Sequence, residues 1–160
     1  MNDKTSDSVK RVQAFLAEQH AELVVQSLSN TTRTAAEAAA TLGCEEAQIA
    51  KSLVFRDEAT DEAVLVVASG ANRVSTEKIR RETGVSLGRA NAAFVREKTG
   101  FAIGGIPPFA HTTTLRTFLD PDLKRFESVW AAAGTPFAVL EITPDELERL
   151  ADASWVELAE

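Results

Sequence analysis

Two short segments of the sequence contain the residues that could do chemistry. In the first, residues 49–55, a single lysine and a serine, Lys51 and Ser52, begin an apolar, β-branched run. The second, residues 104–108, is a Gly-Gly-Ile-Pro-Pro loop in a chain with only 8 glycines and 5 prolines. A lysine ammonium can hold an anion as a point charge, and glycines let a ligand approach backbone amides closely. Together the two segments would suit an anionic ligand if the fold brings them to one place.

The glycine–proline loop consists of Gly104, Gly105, Ile106, Pro107 and Pro108. Each proline fixes its own φ angle, and Pro107 also restricts Ile106. We therefore expect a stiff loop whose glycine amides are free to hold a carbonyl or phosphate oxygen. The same pattern is also typical of an ordinary connecting loop, and most lysines are simply solvated. It is not a P-loop, because no Gly-Lys-Ser/Thr follows the glycines.

A histidine, His111, follows the loop, and a proton-transfer or phosphate-contact role is open to it. A lone histidine beside a loop is also often an ordinary surface residue. The chain has only one other histidine, His20, and one cysteine, Cys44. These residues cannot build a cysteine-based zinc site, and no acidic segment has the spacing of a calcium-binding loop. We expect no metal and no other cofactor. No Gly-x-Ser-x-Gly segment indicates a hydrolase triad.

Length and composition narrow the class of protein. With 160 residues, 44% hydrophobic and 26% charged, we expect one globular domain over residues 1–160, with residues 1–8 flexible. No apolar run approaches the roughly 18 residues of a membrane helix, and the N-terminus lacks a secretory pattern. We therefore expect no membrane partner and a cytoplasmic location. The net charge of −7, without a basic recognition helix, argues against DNA as a partner.

The elements that would position these residues are predicted by local signals. Apolar spacing predicts a first helix from Val9 to about Gln19. N-cap residues followed by helix-forming stretches predict four more helices, at residues 35–42, 76–83, 92–99 and 144–151. Glycines stop the middle three, and the last has a capping box with proline in its first turn.

The strands predict the fold class. Two β-rich runs, residues 52–56 and 63–68, are joined by a loop short enough for a hairpin, which predicts antiparallel neighbours. Further strands are predicted at residues 115–119, 129–133, 137–142 and 155–157. Because strands and helices do not alternate regularly, we predict an α+β fold rather than a doubly wound one. It would be a single domain with a mixed, mostly antiparallel β-sheet flanked by helices.

Five segments, in this order, resemble the YbaK/EbsC family, the editing-domain family associated with prolyl-tRNA synthetase. They are residues 34–43, 49–55, 104–109, 129–134 and 142–147. The resemblance runs from about residue 20 to the C-terminus and implies the same α+β fold. It also implies hydrolysis of the ester bond of a mischarged aminoacyl-tRNA without a metal. Lys51 would contact the tRNA 3′ end, and the Gly104 loop would bind the aminoacyl carbonyl.

The resemblance further implies a reaction without an obvious protein nucleophile, in which the terminal ribose hydroxyl organises or activates the attacking water. Lys51, Gly104 and Gly105 would then serve catalysis. The predicted substrate-binding residues are Ser52, Ile106, Pro107, Pro108 and His111. The expected substrate is tRNA(Pro) carrying alanine or cysteine, and an aminoacyl-tRNA synthetase is a possible second partner. The alternative is a non-catalytic module that binds a tRNA or a synthetase. The editing function requires Lys51 and the loop to face one cleft.

Overall fold

A mixed β-sheet with helices on both faces is the architecture of residues 3–160, which the computed structural model describes. The helices are α1 (Asp3–Glu18), α2 (Ala35–Leu42), α3 (Thr76–Thr83), α4 (Ala92–Thr99) and α5 (Pro144–Ala151). The strands are β1 (Gln26–Ser27), β2 (Ile49–Asp57), β3 (Ala63–Ser69), β4 (Leu87–Gly88), β5 (Arg116–Leu119), β6 (Val129–Ala132), β7 (Ala138–Ile142) and β8 (Ser154–Trp155). Short 3-10 turns occupy Glu46–Gln48 and Pro121–Arg125.

The order of strands across the sheet is β1-β7-β6-β2-β3-β5-β8, and β4 pairs with β2 outside this order. The predicted hairpin is confirmed, because β2 and β3 pair antiparallel from Ala50 opposite Ser69 to Arg56 opposite Ala63. Of the seven strand pairings among the described residues, the pairs β2–β6, β3–β5 and β5–β8 are parallel and the others antiparallel. The predicted α+β fold with a mixed sheet is confirmed, with antiparallel pairs in a narrow majority.

Apolar side chains pack on both faces of the sheet, so the central strand β3 is buried along its whole length. Leu65 and Val67 point into the larger cluster, which also contains apolar residues of α1, α4 and α5. Val64 and Val66 point into a smaller cluster with Ile79 of α3. A strand buried on both faces reads as a continuous apolar run rather than an alternating one, as β3 does.

The residues predicted to cap the helices do form hydrogen bonds at the helix N-termini. Thr34, at the start of α2, accepts a hydrogen bond from the amide three residues later, and Asn91 does the same for α4. Thr143 and Glu146 form a complete capping box at the start of α5. These side chains satisfy backbone amides that have no partner within the helix, which fixes where each helix begins.

The first helix is longer than predicted, since α1 begins at Asp3 and not at Val9. Residues 3–8 are mostly polar, so hydrophobic periodicity gives no signal for them. The predicted flexibility of residues 1–8 falls partly on Met1 and Asn2, which lie outside the described residues.

A gap in the sheet lies along one edge of β2. One edge of this strand pairs with β3 over most of its length. The opposite edge pairs with β6 only at Ile49 and Ala50, and with β4 only at Arg56 and Asp57. Between these points, residues 51–55 have no strand partner on that edge among the described residues. Such an edge leaves backbone donors and acceptors facing the space beside it.

Candidate functional site

A cavity of about 400 Å³ opens beside the unpaired edge of β2. Its wall is built from the N-terminal end of α2, the first half of β2, the glycine–proline loop and β6. Its lining includes Arg33, Thr34, Glu46, Ala50, Lys51, Ser52, Gly70, Ile103, Gly104, Ile106, Ala131 and Ala132. Lys51 and Gly104, more than 50 residues apart in sequence, therefore face one cavity, as their proposed joint role requires.

Lys51 is half-buried and its ammonium is held from one side. Its Nζ donates to the Asn72 carbonyl oxygen at 2.7 Å and lies 3.5 Å from the Gly70 carbonyl oxygen. An ammonium has three N–H donors. At least one donor therefore remains for a ligand in the cavity.

Ser52, the neighbour of Lys51 on β2, also lines the cavity. Its Oγ is buried and has no hydrogen-bond partner among the described residues. A buried hydroxyl without a partner is unusual, because its desolvation is not repaid. The Ser52 hydroxyl therefore lies beneath the cavity surface, although the residue itself contributes to the cavity wall.

The two glycines of the loop have different surroundings. Gly104 adopts φ = 103°, a backbone conformation that favours glycine, and its amide has no hydrogen-bond partner among the described residues. The Gly105 amide donates to the Ala102 carbonyl oxygen at 3.2 Å. A Cβ on Gly105 would lie 2.5 Å from Thr135 Cα, so glycine is needed there for close backbone packing. The prediction of free glycine amides is therefore wrong for Gly105, and only Gly104 keeps that property.

The far end of the loop lies in a different place. Pro108 and His111 line a separate pocket of about 190 Å³, between α1 and the end of α5, and Pro107 lines neither cavity. His111 Nε2–H donates to the Pro107 carbonyl oxygen at 2.8 Å, and the His111 ring meets Phe101 edge to face. Of the predicted substrate-binding residues, only Ser52 and Ile106 share the large cavity with Lys51.

The environment of His111 favours its neutral form. Burial lowers the pKa of the His111 imidazole, because the charged ring loses its hydration, and the hydrogen bond to Pro107 opposes this only partly. The Pro107 carbonyl can only accept, so the neutral ring carries its proton on Nε2. His111 therefore contacts the loop through the Pro107 carbonyl, on the side away from the large cavity.

Two lining residues that the sequence interpretation did not select are Arg33 and Ile103. Arg33 is exposed beside the N-terminus of α2, and its Cγ would lie 3.4 Å from a Cβ on Gly104. Among the described residues, the one ion pair joins Arg56 and Asp61. Arg33 therefore has no carboxylate partner in this part of the chain. A cation directly before the N-cap residue Thr34 was the available signal, because helix N-termini favour anions. Ile103 is 61% exposed and lines the same cavity. No local sequence signal indicates this position.

The donor set does not suit a metal ion. Among residues 3–160, no three His, Cys, Asp or Glu side chains lie close enough together to hold one. In the same part of the chain, no helix has the length and apolar composition needed to cross a membrane.

The fold and the cavity define an α+β domain that presents one lysine, one arginine and a glycine loop to a mostly apolar cavity beside a gap in its sheet. The family model for the aminoacyl-tRNA editing domain matches residues 29–150, and the chain belongs to that family. The resemblance to the YbaK/EbsC family is thereby confirmed.

Individual relatives agree with this assignment. The protein YwhH of Bacillus subtilis, described as uncharacterized, is 33% identical over 152 residues, which cover 94% of this chain and 96% of YwhH. A crystal structure described as a candidate trans-editing enzyme for prolyl tRNA synthetase is 46% identical, with a TM-score of 0.89, covering 96% of this chain and 97% of that one. The crystal structure of the hypothetical protein APE2540 is 30% identical, with a TM-score of 0.86, covering 94% and 99%. These similarities extend over 94–96% of this chain.

Proposed function

We propose that the protein is a trans-editing deacylase that hydrolyses the ester bond of mischarged tRNA, with tRNA(Pro) carrying alanine or cysteine as its substrate. The observation that carries the proposal is the shared cavity of Lys51 and Gly104, in a chain of the editing-domain family. The similar structure described as a candidate trans-editing enzyme for prolyl tRNA synthetase supports the choice of tRNA.

In this proposal Lys51 anchors the anionic 3′ end of the tRNA. Its ammonium has a free donor on the cavity side, and a charge-assisted hydrogen bond to a phosphate is among the stronger ones in proteins. Arg33, at the same cavity and unpaired with any described carboxylate, provides a second cation. The acidic net charge of the chain fits recognition of one tRNA end rather than of a long duplex.

Gly104 is the proposed donor to the ester carbonyl. Hydrolysis builds negative charge on that oxygen, and a preorganised amide lowers the energy of the transition state. The Gly104 amide has no partner among the described residues, whereas the Gly105 amide donates to Ala102. We therefore assign stabilisation of the ester oxygen to the Gly104 amide alone. The terminal ribose hydroxyl would organise the attacking water, and Ser52, as a residue of the cavity wall, would contact the substrate.

The cavity wall suits an apolar aminoacyl side chain. Ala50, Ala131 and Ala132 line it where β2 and β6 separate, and these methyl groups present an apolar surface. An apolar pocket discriminates weakly between side chains that differ by one methylene. Alanine and cysteine are therefore the substrates to compare first.

The decisive experiment incubates the protein with a panel of mischarged tRNAs and follows release of the amino acid. Ala-tRNA(Pro) and Cys-tRNA(Pro) are expected to be hydrolysed faster than Pro-tRNA(Pro). Binding without turnover on every member would instead favour the alternative, a non-catalytic tRNA- or synthetase-binding module.

Lys51→Ala tests the anchor within the same assay. Loss of a charged hydrogen bond is worth about 1.5–3 kcal/mol, so kcat/KM should fall at least tenfold. Lys78→Ala is the matched control, since Lys78 Nζ also donates to a backbone carbonyl oxygen, that of Ala159 at 2.6 Å, but lies away from the cavity. Full activity of Lys51→Ala would remove the assigned anchor.

A further inference from the structure

The carbonyl oxygen that holds Lys51 belongs to Asn72, a residue with an unusually well-anchored side chain. Asn72 Nδ2 donates to Asp120 Oδ2 and to Asp122 Oδ2, both at 2.8 Å. The Asn72 amide also donates to the Ser69 carbonyl oxygen at 2.9 Å. We propose that Asn72, anchored by Asp120 and Asp122, is a positioning residue that sets the place of the Lys51 ammonium; this rests on the proposed role of Lys51.

Asp120 is the fixed point of this arrangement. It is only 1% exposed and follows the last residue of β5. Its Oδ2 also accepts from the Ser69 amide at 3.0 Å, and its Oδ1 accepts from the Asp122 amide at 3.0 Å. A buried carboxylate is retained only when hydrogen bonds replace its hydration, so its donors are held firmly in turn.

The chemistry of the asparagine side chain suits this role. One amide nitrogen carries two hydrogens, so Asn72 can satisfy both carboxylates at once. An aspartate there would add a third negative charge, and an alanine would leave both carboxylates without this donor. Asn72 also supplies the backbone oxygen for Lys51, so one residue joins the carboxylate pair to the cavity.

The side-chain network lies at the end of the β3–β5 pairing. β3 and β5 already pair at four positions, ending with Val67 opposite Leu119. The Asp120 amide still donates to the Val67 carbonyl oxygen at 3.0 Å, but the side-chain hydrogen bonds of Asp120 and Asn72 begin just beyond that point, where the chain turns away toward Lys51. Their location therefore favours control of the turn at residues 69–72 over support of the sheet.

Asn72→Ala is the direct test, because it removes the anchor but keeps the backbone carbonyl that Lys51 contacts. We expect about a tenfold rise in KM for mischarged tRNA, as for loss of hydrogen bonds to charged groups, and a lower NMR order parameter for the Lys51 side chain. Asn91→Ala is the matched control, since Asn91 also loses a side-chain hydrogen bond but caps α4 away from the cavity. It should leave both quantities unchanged.

A double-variant cycle separates positioning from general stability. If Asn72 acts through Lys51, Asn72→Ala should add nothing to the effect of Lys51→Ala, whereas independent structural damage would add in full. Additive effects, or an unchanged order parameter of Lys51, would overturn the proposal. Should Asn72→Ala not fold, Asn72→Ser keeps one donor and should give a smaller change in the same direction. A wild-type protein without deacylase activity would refute the proposed function, while the order parameter would still decide the positioning role.

Discussion

At the scale of single residues, the two ends of the glycine–proline loop contact different parts of the protein. Gly104 faces the large cavity, whereas His111 packs on the other side and donates to Pro107. Pro107 directly follows Ile106, which lines the large cavity. The loop thus has one surface toward the proposed substrate and another fixed to the protein interior.

The pH dependence of stability should report on His111. Its pKa in the fold lies below the ordinary value of 6.5, because burial disfavours the charged ring. Below about pH 6.5 the unfolded chain therefore binds a proton that the folded chain resists, so the free energy of unfolding falls as the pH falls. The loss continues until the pH reaches the lowered pKa of the folded state.

His111→Gln should weaken this dependence, because glutamine does not titrate yet can still donate to the Pro107 carbonyl oxygen. Urea denaturation at about pH 7.5 and about pH 5.5 would measure it, with the wild type losing more stability on acidification than the variant. His20→Gln, at an exposed position, controls for removal of one imidazole. Parallel pH profiles for wild type and His111→Gln would contradict the expectation.

At the scale of elements, α2 matters because its first turn forms part of the cavity wall. Thr34 Oγ1 accepts from the Glu37 amide at 3.1 Å, and Arg33 immediately precedes it. The cap therefore fixes both the start of the helix and the place of the arginine.

Thr34→Ala should lower the free energy of unfolding by about 1 kcal/mol, because an N-terminal amide of α2 loses its partner. Thr34→Ser is the matched variant, since it keeps the oxygen and should lose little. Chemical denaturation of the two proteins measures the difference. Equal stability of the alanine and serine variants would show that the cap contributes nothing here.

How far the sequence predicts the elements depends on the range of the interactions. The caps at Thr34, Asn91 and Thr143 and the β2–β3 hairpin depend on residues close in sequence, and all were predicted correctly. The early start of α1 was missed because its first residues have no apolar spacing. Local signals of this kind are the ones that a single sequence displays.

The candidate site depends on long-range pairing, which a single sequence does not display. Nothing local indicates that β6 runs beside β2 for only two residues, or that the gap beyond Ala50 becomes a cavity. The family resemblance predicted that Lys51 and the loop meet. It did not predict that Gly105 packs against Thr135, or that Asn72 holds Lys51, because both depend on tertiary contacts.

At the scale of the whole molecule, charge sets the limits of tRNA recognition. The chain has 17 lysines and arginines against 24 aspartates and glutamates. Its cavity nevertheless presents two cations, Arg33 and Lys51, against one carboxylate, that of Glu46. If the proposed function holds, a mostly repulsive surface with a local excess of positive charge favours contact with few phosphates of the tRNA.

The salt dependence of KM should therefore be shallow. Each phosphate neutralised on a single strand contributes about 0.7 to the slope of log affinity against log salt. With two cations in the cavity, KM for mischarged tRNA should rise with salt with a slope of about 1.4, and Arg33→Gln should reduce the slope to about 0.7. Arg81→Gln, on the exposed face of α3 away from the cavity, is the control and should leave the slope unchanged. A wild-type slope of about 3 or more would mean that phosphates bind well beyond the cavity, and an unchanged slope in Arg33→Gln would remove Arg33 from the tRNA contact.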